Sequence, residues 1–358
     1  ARKWCGGRPL TAMGHGRTWS SAAHAEGAFK AIVGTLAANI LMTSPSAAPP
    51  SSSRITSLDL FLILLVTCSW GLNYPIMKFV VTEYPPSSFR ALTFILGTCV
   101  LGVYARSRGE SLWVPPEERW TTLRLSIPNM VLWHVGLVYG ISLLNSGRAA
   151  IIGYTMPVWA LLASVWLYRS PLTWRTGLGV LCSLTATVLL GIDEMSHFAG
   201  QPLGLLFTFG AAISWGIGNA MMKNTRLSIS NISFTFWSLA AGAVCLSMMA
   251  LVLEFDVWRW PNRLQWLAIG YGGVVTFAVS YVAWFLVARK LTPVASGLSI
   301  MLVPVIGLLG GNLFLGETIA LTDWLALGFI LSAMAIVLIP ARSETRPTPA
   351  STTHSAPD

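Results

Sequence analysis

Two short stretches of this sequence carry side chains equipped for recognition, and both lie in apolar surroundings. Trp70, Asn73 and Tyr74, followed by Pro75, form the first. Trp215 and Asn219, with Gly216 and Gly218, form the second. Isolated residues complete the set: Arg90, His134, Tyr154, Tyr281 and Trp284, with Tyr139 beside them. Polar and aromatic groups inside long apolar runs are candidates for a solute site, because burying them costs free energy unless they are used or paired. Each has a plainer alternative. The Trp and Gly residues either line a cavity or pack helices, and the tyrosines and Trp284 either line a pathway or anchor an interface. Arg90 either holds a substrate carboxylate or phosphate, or extends to the membrane interface or to helix-end carbonyls. His134 either titrates near neutral pH and couples movement to protons, or packs as a neutral, hydrogen-bonded ring.

Covalent chemistry has no comparable constellation. There is no Gly-x-x-x-x-Gly-Lys-[Ser/Thr] phosphate loop and no His-Glu-x-x-His zinc helix. His134 has no acid nearby in sequence to orient it as a catalytic base. Cys68, Cys99, Cys182 and Cys245 fall inside apolar runs and read as small buried side chains, without disulfide or metal-ligand spacing. An enzyme is therefore not expected, nor is a metal or cofactor.

The elements that must position these residues follow from composition. Of 358 residues, 54% are apolar types and 10% are charged. Soluble domains carry roughly 25% charged residues, so this chain lacks the polar surface of a soluble protein. The net charge is +9, from 23 Lys+Arg and 14 Asp+Glu. These cations are scattered in short gaps rather than clustered on a face, which argues against nucleic acid and for a multi-spanning membrane protein. Ten windows are free of Asp, Glu, Lys and Arg: 60–77, 91–105, 125–147, 149–168, 176–192, 195–222, 227–253, 264–288, 291–316 and 324–341. They are continuously apolar and too long for strands. In lipid a backbone must satisfy its own hydrogen bonds, so they read as ten transmembrane helices in an all-α integral membrane protein. With both termini cytoplasmic, 13 loop cations lie inside and four (Lys78, Arg148, Arg259 and Arg263) lie outside. Residues 1–55 read as a disordered tail or as upstream sequence before a start at Met42. A signal peptide built on the weakly apolar stretch 31–42 is the other reading there. Residues 341–358 read as a disordered cytoplasmic tail.

The two halves of the chain repeat. Ser69-Trp70-Gly71 matches Ser214-Trp215-Gly216 at an offset of 145, and Met77-Lys78, Ser88-Phe89 and Gly97 match Met222-Lys223, Ser233-Phe234 and Gly242. Eight of 29 aligned positions are identical. Pro157-Val158 and Leu161-Leu162 match Pro304-Val305 and Leu308-Leu309 at an offset of 147. Each half, 56–192 and 203–340, holds five windows. Five is odd, so the second half enters the membrane from the opposite side. Inverted repeats about an in-plane axis suit alternating access around a shared site.

Four stretches resemble the drug/metabolite transporter superfamily, in particular its ten-helix EamA-type members. They are Ser69-Trp-Gly-Leu-Asn-Tyr-Pro75; Pro85-Pro86 with Phe89-Arg90; Ala149 through Pro157 to Leu172 and Gly179; and Pro304 to Gly316-Glu317 with Gly328. One departure stands out: Ser170 occupies the place of an acid usual in the first repeat, whereas the second keeps Glu317. The resemblance implies a secondary transporter in the plasma or inner membrane, commonly an exporter of small metabolites or drug-like solutes. Two rivals share the scaffold, a flippase for lipid-linked substrates and a membrane scaffold that moves nothing. The expected partners are a small-molecule substrate and the lipid bilayer. Gly136-x-x-x-Gly140 and Gly307-x-x-x-Gly311 suit close helix contacts, within one bundle or across a homodimer.

Overall fold

Local signals set the helix ends. Thr56 opens α1 (Ser57–Val81) with a reciprocal cap: its hydroxyl accepts from the Asp59 amide at 3.2 Å, and the Asp59 carboxylate accepts from the Thr56 amide at 3.0 Å. Proline begins α2 (Pro86–Ser107) and α3 (Pro116–Leu143), at a position whose N–H has no helical partner to lose. Asn262 and Gln265 form a second reciprocal cap at the start of α8 (Arg263–Ala288). α4 (Ser146–Tyr168) and α9 (Leu302–Leu315) end on left-handed residues, Arg169 at φ 53° and Gly316 at φ 67°. The remaining helices are α5 (Trp174–Ser196), α6 (Pro202–Lys223), α7 (Asn231–Leu253) and α10 (Leu321–Leu338). They are seen in a computed structural model that describes residues 56–196, 202–288, 291 and 299–338.

Among the described residues eight helices, α1 to α8, are long and apolar enough to cross a membrane, and no strand occurs. α9 and α10 are apolar but shorter. Part of the window 291–316 (292–298) and both tail assignments, including the signal-peptide reading at 31–42, lie outside the described residues.

Three helices are interrupted. α3 widens to a π-helical turn over Ile127–Leu132, where Pro128 has no N–H for an α-helical bond. α8 widens likewise over Tyr271–Val279, which contains Gly272 and Gly273. α4 breaks between Gly153 and Met156, just before Pro157.

The repeated Ser-Trp-Gly triplets dock reciprocally, each onto the other half of the chain. Ser69 of α1 meets the Ser280 hydroxyl of α8, and its carbonyl accepts from the Tyr271 hydroxyl at 2.9 Å. Ser214 of α6 donates to the Pro128 carbonyl of α3 at 2.9 Å. Each serine thus meets the widened turn of the opposite half, where α-helical pairing is lost. Gly71 lies against Ile306 of α9, and Gly216 against Trp159 and Ala160 of α4. A side chain at either glycine would hold the crossing helices apart. The other glycine pairs also face neighbours within the chain: Gly136 and Gly140 face α6, Gly307 faces Ala150 of α4, and Gly311 faces Ser146 and Glu317.

Candidate functional site

The aromatic candidates converge between the two docked triplets. Trp70 packs against Tyr281 and Trp284 of α8, with ring centroids 5.8 and 5.9 Å apart. Its indole N–H points to the Thr276 carbonyl in the widened turn, at 3.4 Å. One turn along α1, Tyr74 lies 6.4 Å from Tyr154 at the break in α4. Trp215 of α6 reaches the same region through Trp133 of α3, at 6.3 Å. Gly153 leaves room there, since a side chain on it would meet Tyr74 and Trp133. Trp70, Trp215, Tyr281 and Trp284 are half-buried, while Tyr74 and Tyr154 are buried. The last two hydroxyls make no hydrogen bond among the described residues, and the Tyr281 hydroxyl meets only the Met130 sulfur, at 3.9 Å.

Arg90 and His134 stand at the centre of this aromatic shell. Arg90 is 0% exposed. Its guanidinium lies 5.8 Å from the Phe89 ring and 5.5 Å from the Phe277 ring, and Nη2 meets the Met77 sulfur. Nε and Nη1 have no hydrogen-bond partner. The side chain is enclosed by protein and donates to no carbonyl among the described residues. His134 is 5% exposed, set edge-on between Phe94 at 4.9 Å and Phe277 at 5.2 Å, and neither ring nitrogen has a partner. It is packed but not hydrogen-bonded, contrary to the ordinary expectation for a core histidine. Arg90 is within electrostatic reach of Tyr74, Tyr281 and His134. An arginine stays charged in proteins, and cation–π contacts repay only part of the cost of burying it.

Asn73 is buried and Asn219 half-buried, but no hydrogen bond or ring contact draws either into the cluster. Met77, Phe94, Met130, Trp133 and Phe277 belong to its walls, though their types alone read as core. A separate groove of about 930 Å³ runs between Trp113, Arg119 and the α7 face that carries Trp237 and Met248. Its lining includes no member of the cluster. Among the described residues no three His, Cys, Asp or Glu side chains group as metal ligands. The described cysteines are free, and Cys68 and Cys99 are exposed rather than buried, on helix faces that a bilayer would cover.

One end of the bundle is closed by carboxylates. Glu254, where α7 ends, accepts from the Ser87 and Ser88 amides that open α2, at 2.8 and 2.7 Å, and from the Ser88 hydroxyl at 2.7 Å. Glu317, after α9, accepts from the Ser146 amide and hydroxyl that open α4, both at 2.8 Å. Each is an acid at a helix N-terminus, where amides are free and the helix dipole favours negative charge. Burial, and then the Glu254 carboxylate, push the Tyr84 hydroxyl beside this clamp up from its usual range. Arg148 is not a free loop cation: it is buried in α4 and pairs with Asp323 at 2.9 Å and with Asp193. At the other end, among the described residues, Glu118 accepts from the Ser228 amide at 2.9 Å, and Trp237 donates to the Leu112 carbonyl at 2.7 Å.

Residues 57–192 and 202–339 each match the EamA-like transporter family. "Uncharacterized transporter YoaV" of Bacillus subtilis (strain 168) is 27% identical over 279 residues, covering 77% of this chain and 94% of that protein. "Uncharacterized inner membrane transporter YedA" of Escherichia coli (strain K12) is 25% identical over 289 residues, covering 78% and 91%. "Protein PecM" of Dickeya dadantii (strain 3937) is 24% identical, covering 75% and 89%. A solved crystal structure at 18% identity shares the fold, with a TM-score of 0.59 over 83% of this chain and 100% of that one.

Proposed function

The chain belongs to the EamA-like transporter family, and from that premise we propose that it is a secondary transporter moving a small organic solute by alternating access. The observation that carries this reading is the buried cluster around Arg90 and His134, in which Arg90 Nε and Nη1 and both His134 ring nitrogens have no hydrogen-bond partner among the described residues. Buried donors left open cost free energy, and a solute that fills them recovers it. Helices of both halves build the cluster: α1, α2, α3 and α4 from the first, α6 and α8 from the second. A change in how the halves dock therefore changes access to it.

The halves are inverted in this reading, and ten helices span the bilayer. Its support is the reciprocal docking, and the fact that α6 begins beside Leu143 and Leu144, near where α1 ends. The clamped end faces outward and both termini face the cytoplasm, in line with the excess of loop cations on that side. The membrane is the plasma or inner membrane, as the name of the Escherichia coli relative has it for that protein. The direction is export, the direction common among the transporters the chain resembles. Trp70, Tyr74, Arg90, His134, Tyr154, Trp215, Tyr281 and Trp284 contact the solute, with Asn73 and Asn219 on the adjoining turns of α1 and α6.

The test is solute exchange in proteoliposomes. Purified protein faces a mixed panel of organic acids, amino acids, nucleosides and aromatic amines, with and without a pH gradient. Protein-dependent movement of one class is expected, with loss on Trp70→Ala and Tyr74→Ala in folded protein. Acceleration by the gradient assigns proton coupling to His134, and indifference to the gradient assigns exchange driven by the solute alone. If nothing moves while the protein is folded and monodisperse, transport is the wrong reading.

A further inference from the structure

We infer that the solute is an organic monoanion, a carboxylate carried on a flat apolar body, and that Arg90 is its counter-ion. The inference rests on the transport reading and adds a charge class to it.

Arg90 is wholly buried, and its Nε and Nη1 donors are unfilled. Its surroundings are Met77, Phe89 and Phe277, with Tyr74, Tyr281 and His134 within electrostatic reach. None of these is an anion. The buried acids of the described chain are engaged elsewhere: Asp59 caps α1, Glu254 caps α2 and Asp323 pairs with Arg148. Glu317 caps α4 and Asp193 pairs with Arg148. No carboxylate of the described chain neutralises Arg90, so the cluster holds one net positive charge. A carboxylate accepts two parallel N–H bonds from one guanidinium. One such group brings the site to neutrality, whereas a dianion would leave a buried negative charge. An amino acid would bring an ammonium for which the site offers no carboxylate.

Shape supplies the rest. Beyond the guanidinium the walls are indole and phenol rings: Trp70, Trp133, Trp215, Tyr281 and Trp284. Four of these five are half-buried, so ring surface is still open to a bound group. Flat apolar bodies stack against such walls. The Tyr74 hydroxyl, which makes no hydrogen bond among the described residues, is a further donor for the carboxylate. The same charge gives a coupling rule. An empty carrier holds an uncompensated cation, and a loaded one is neutral. Opening and closing is therefore easier with solute bound.

The experiment compares three probes that share a phenyl ring and differ in charge: 3-phenylpropionate, phenylalanine and phenethylamine. Exchange in proteoliposomes is paired with thermal unfolding of the purified full chain in detergent. Expected: 3-phenylpropionate exchanges and raises the melting temperature, while phenylalanine, phenethylamine and the dianion phenylsuccinate do neither. Arg90→Lys weakens the response, and Arg90→Met abolishes it, a loss of at least about tenfold, as for removal of a charge-assisted bond. Arg90→Met also melts at a higher temperature than the empty native protein, because an unpaired buried charge has been replaced by an apolar chain of similar length. A structural arginine would give the opposite shift, and that result overturns the inference. So does exchange of phenylalanine or phenethylamine that survives Arg90→Met, an outcome that leaves transport standing. Stabilisation by phosphatidylglycerol that needs Arg90, without exchange of 3-phenylpropionate, makes the anion a lipid headgroup and also overturns it. Silence across these probes and the mixed panel defeats the transport reading itself.

Discussion

At the scale of single residues, two arginines in this bundle are buried under opposite rules. Arg148 has its charges answered, by Asp323 and Asp193, and ties α4 to α10 and α5. Arg90 is answered by no carboxylate among the described residues. Removing them should therefore shift stability in opposite directions. Arg148→Met deprives two carboxylates of their shared cation and should destabilise by about 3 kcal/mol or more, the range for breaking a buried pair by deleting one partner. Chemical or thermal unfolding in detergent reads this directly, and an unchanged midpoint would remove Arg148 from the account of stability. The sequence made Arg90 conspicuous, because it borders a charge-free window and can only be reached by extending the helix toward Pro85. Arg148 looked like one more loop cation, because its partners lie 45 and 175 positions away. Pairing over that distance is a property of packing, which no local spacing encodes.

At the scale of helices, the glycines separate contact from vacancy. Gly210 and Gly216 both lie in α6. A β-carbon on Gly216 would stand 2.5 Å from the Trp159 β-carbon and 2.7 Å from the Ala160 amide nitrogen, whereas Gly210 has nothing within 4 Å. Gly216→Ala should cost about 1–3 kcal/mol through overpacking against backbone that has little room to move. Gly210→Ala should be neutral or stabilise by up to about 1 kcal/mol, since alanine favours helix. Comparing the two melting temperatures removes the effect of adding a methyl group as such. The helix ends offer a second test. Arg169 and Gly316 occupy matching places in the two repeats, and both are left-handed. Only glycine adopts that conformation without penalty, so Arg169→Gly should be tolerated and should stabilise by up to about 1 kcal/mol. A clear loss of stability would mean that the Arg169 side chain contributes more than its backbone strain costs. Most of the helix plan was legible, because charge-free length is a direct consequence of burying a backbone in lipid. The widened turns in α3 and α8 were not. A π-helical turn is a choice among backbone hydrogen bonds, and only Pro128 marks one of them in sequence. The triplet Ser-Trp-Gly was visible as a repeat, but its role became clear only with the widened turn that each serine meets.

At the scale of the whole molecule, the two ends of the bundle are unequal among the described residues. Glu254 and Glu317 tie second-half loops to the first turns of α2 and α4, so the clamps join the two halves. The first repeat has Ser170 where the second has Glu317, so the matching carboxylate is missing from the opposite end. In the transport cycle proposed above this end is the closed one, and opening it would exchange at least seven donor–acceptor contacts for water. Weakening the clamps should shift that equilibrium. Ile151, fully buried in α4 between Glu317 and the break beside Tyr154, is a suitable reporter. In a background without the native cysteines, Ile151→Cys should resist a membrane-impermeant thiol reagent applied from the clamped side. Adding Glu254→Gln and Glu317→Gln removes two charge-assisted caps of roughly 1 kcal/mol each, enough to raise the open population, and the labelling rate, by about tenfold or more. The same double variant should keep its response to a bound solute, because neither glutamate touches the cluster around Arg90. Labelling that stays slow would show that packing around Gly71 and Gly216, rather than the carboxylates, holds the end shut. Labelling that is already fast in the native background would place the closed barrier on the other side of the Arg90 cluster.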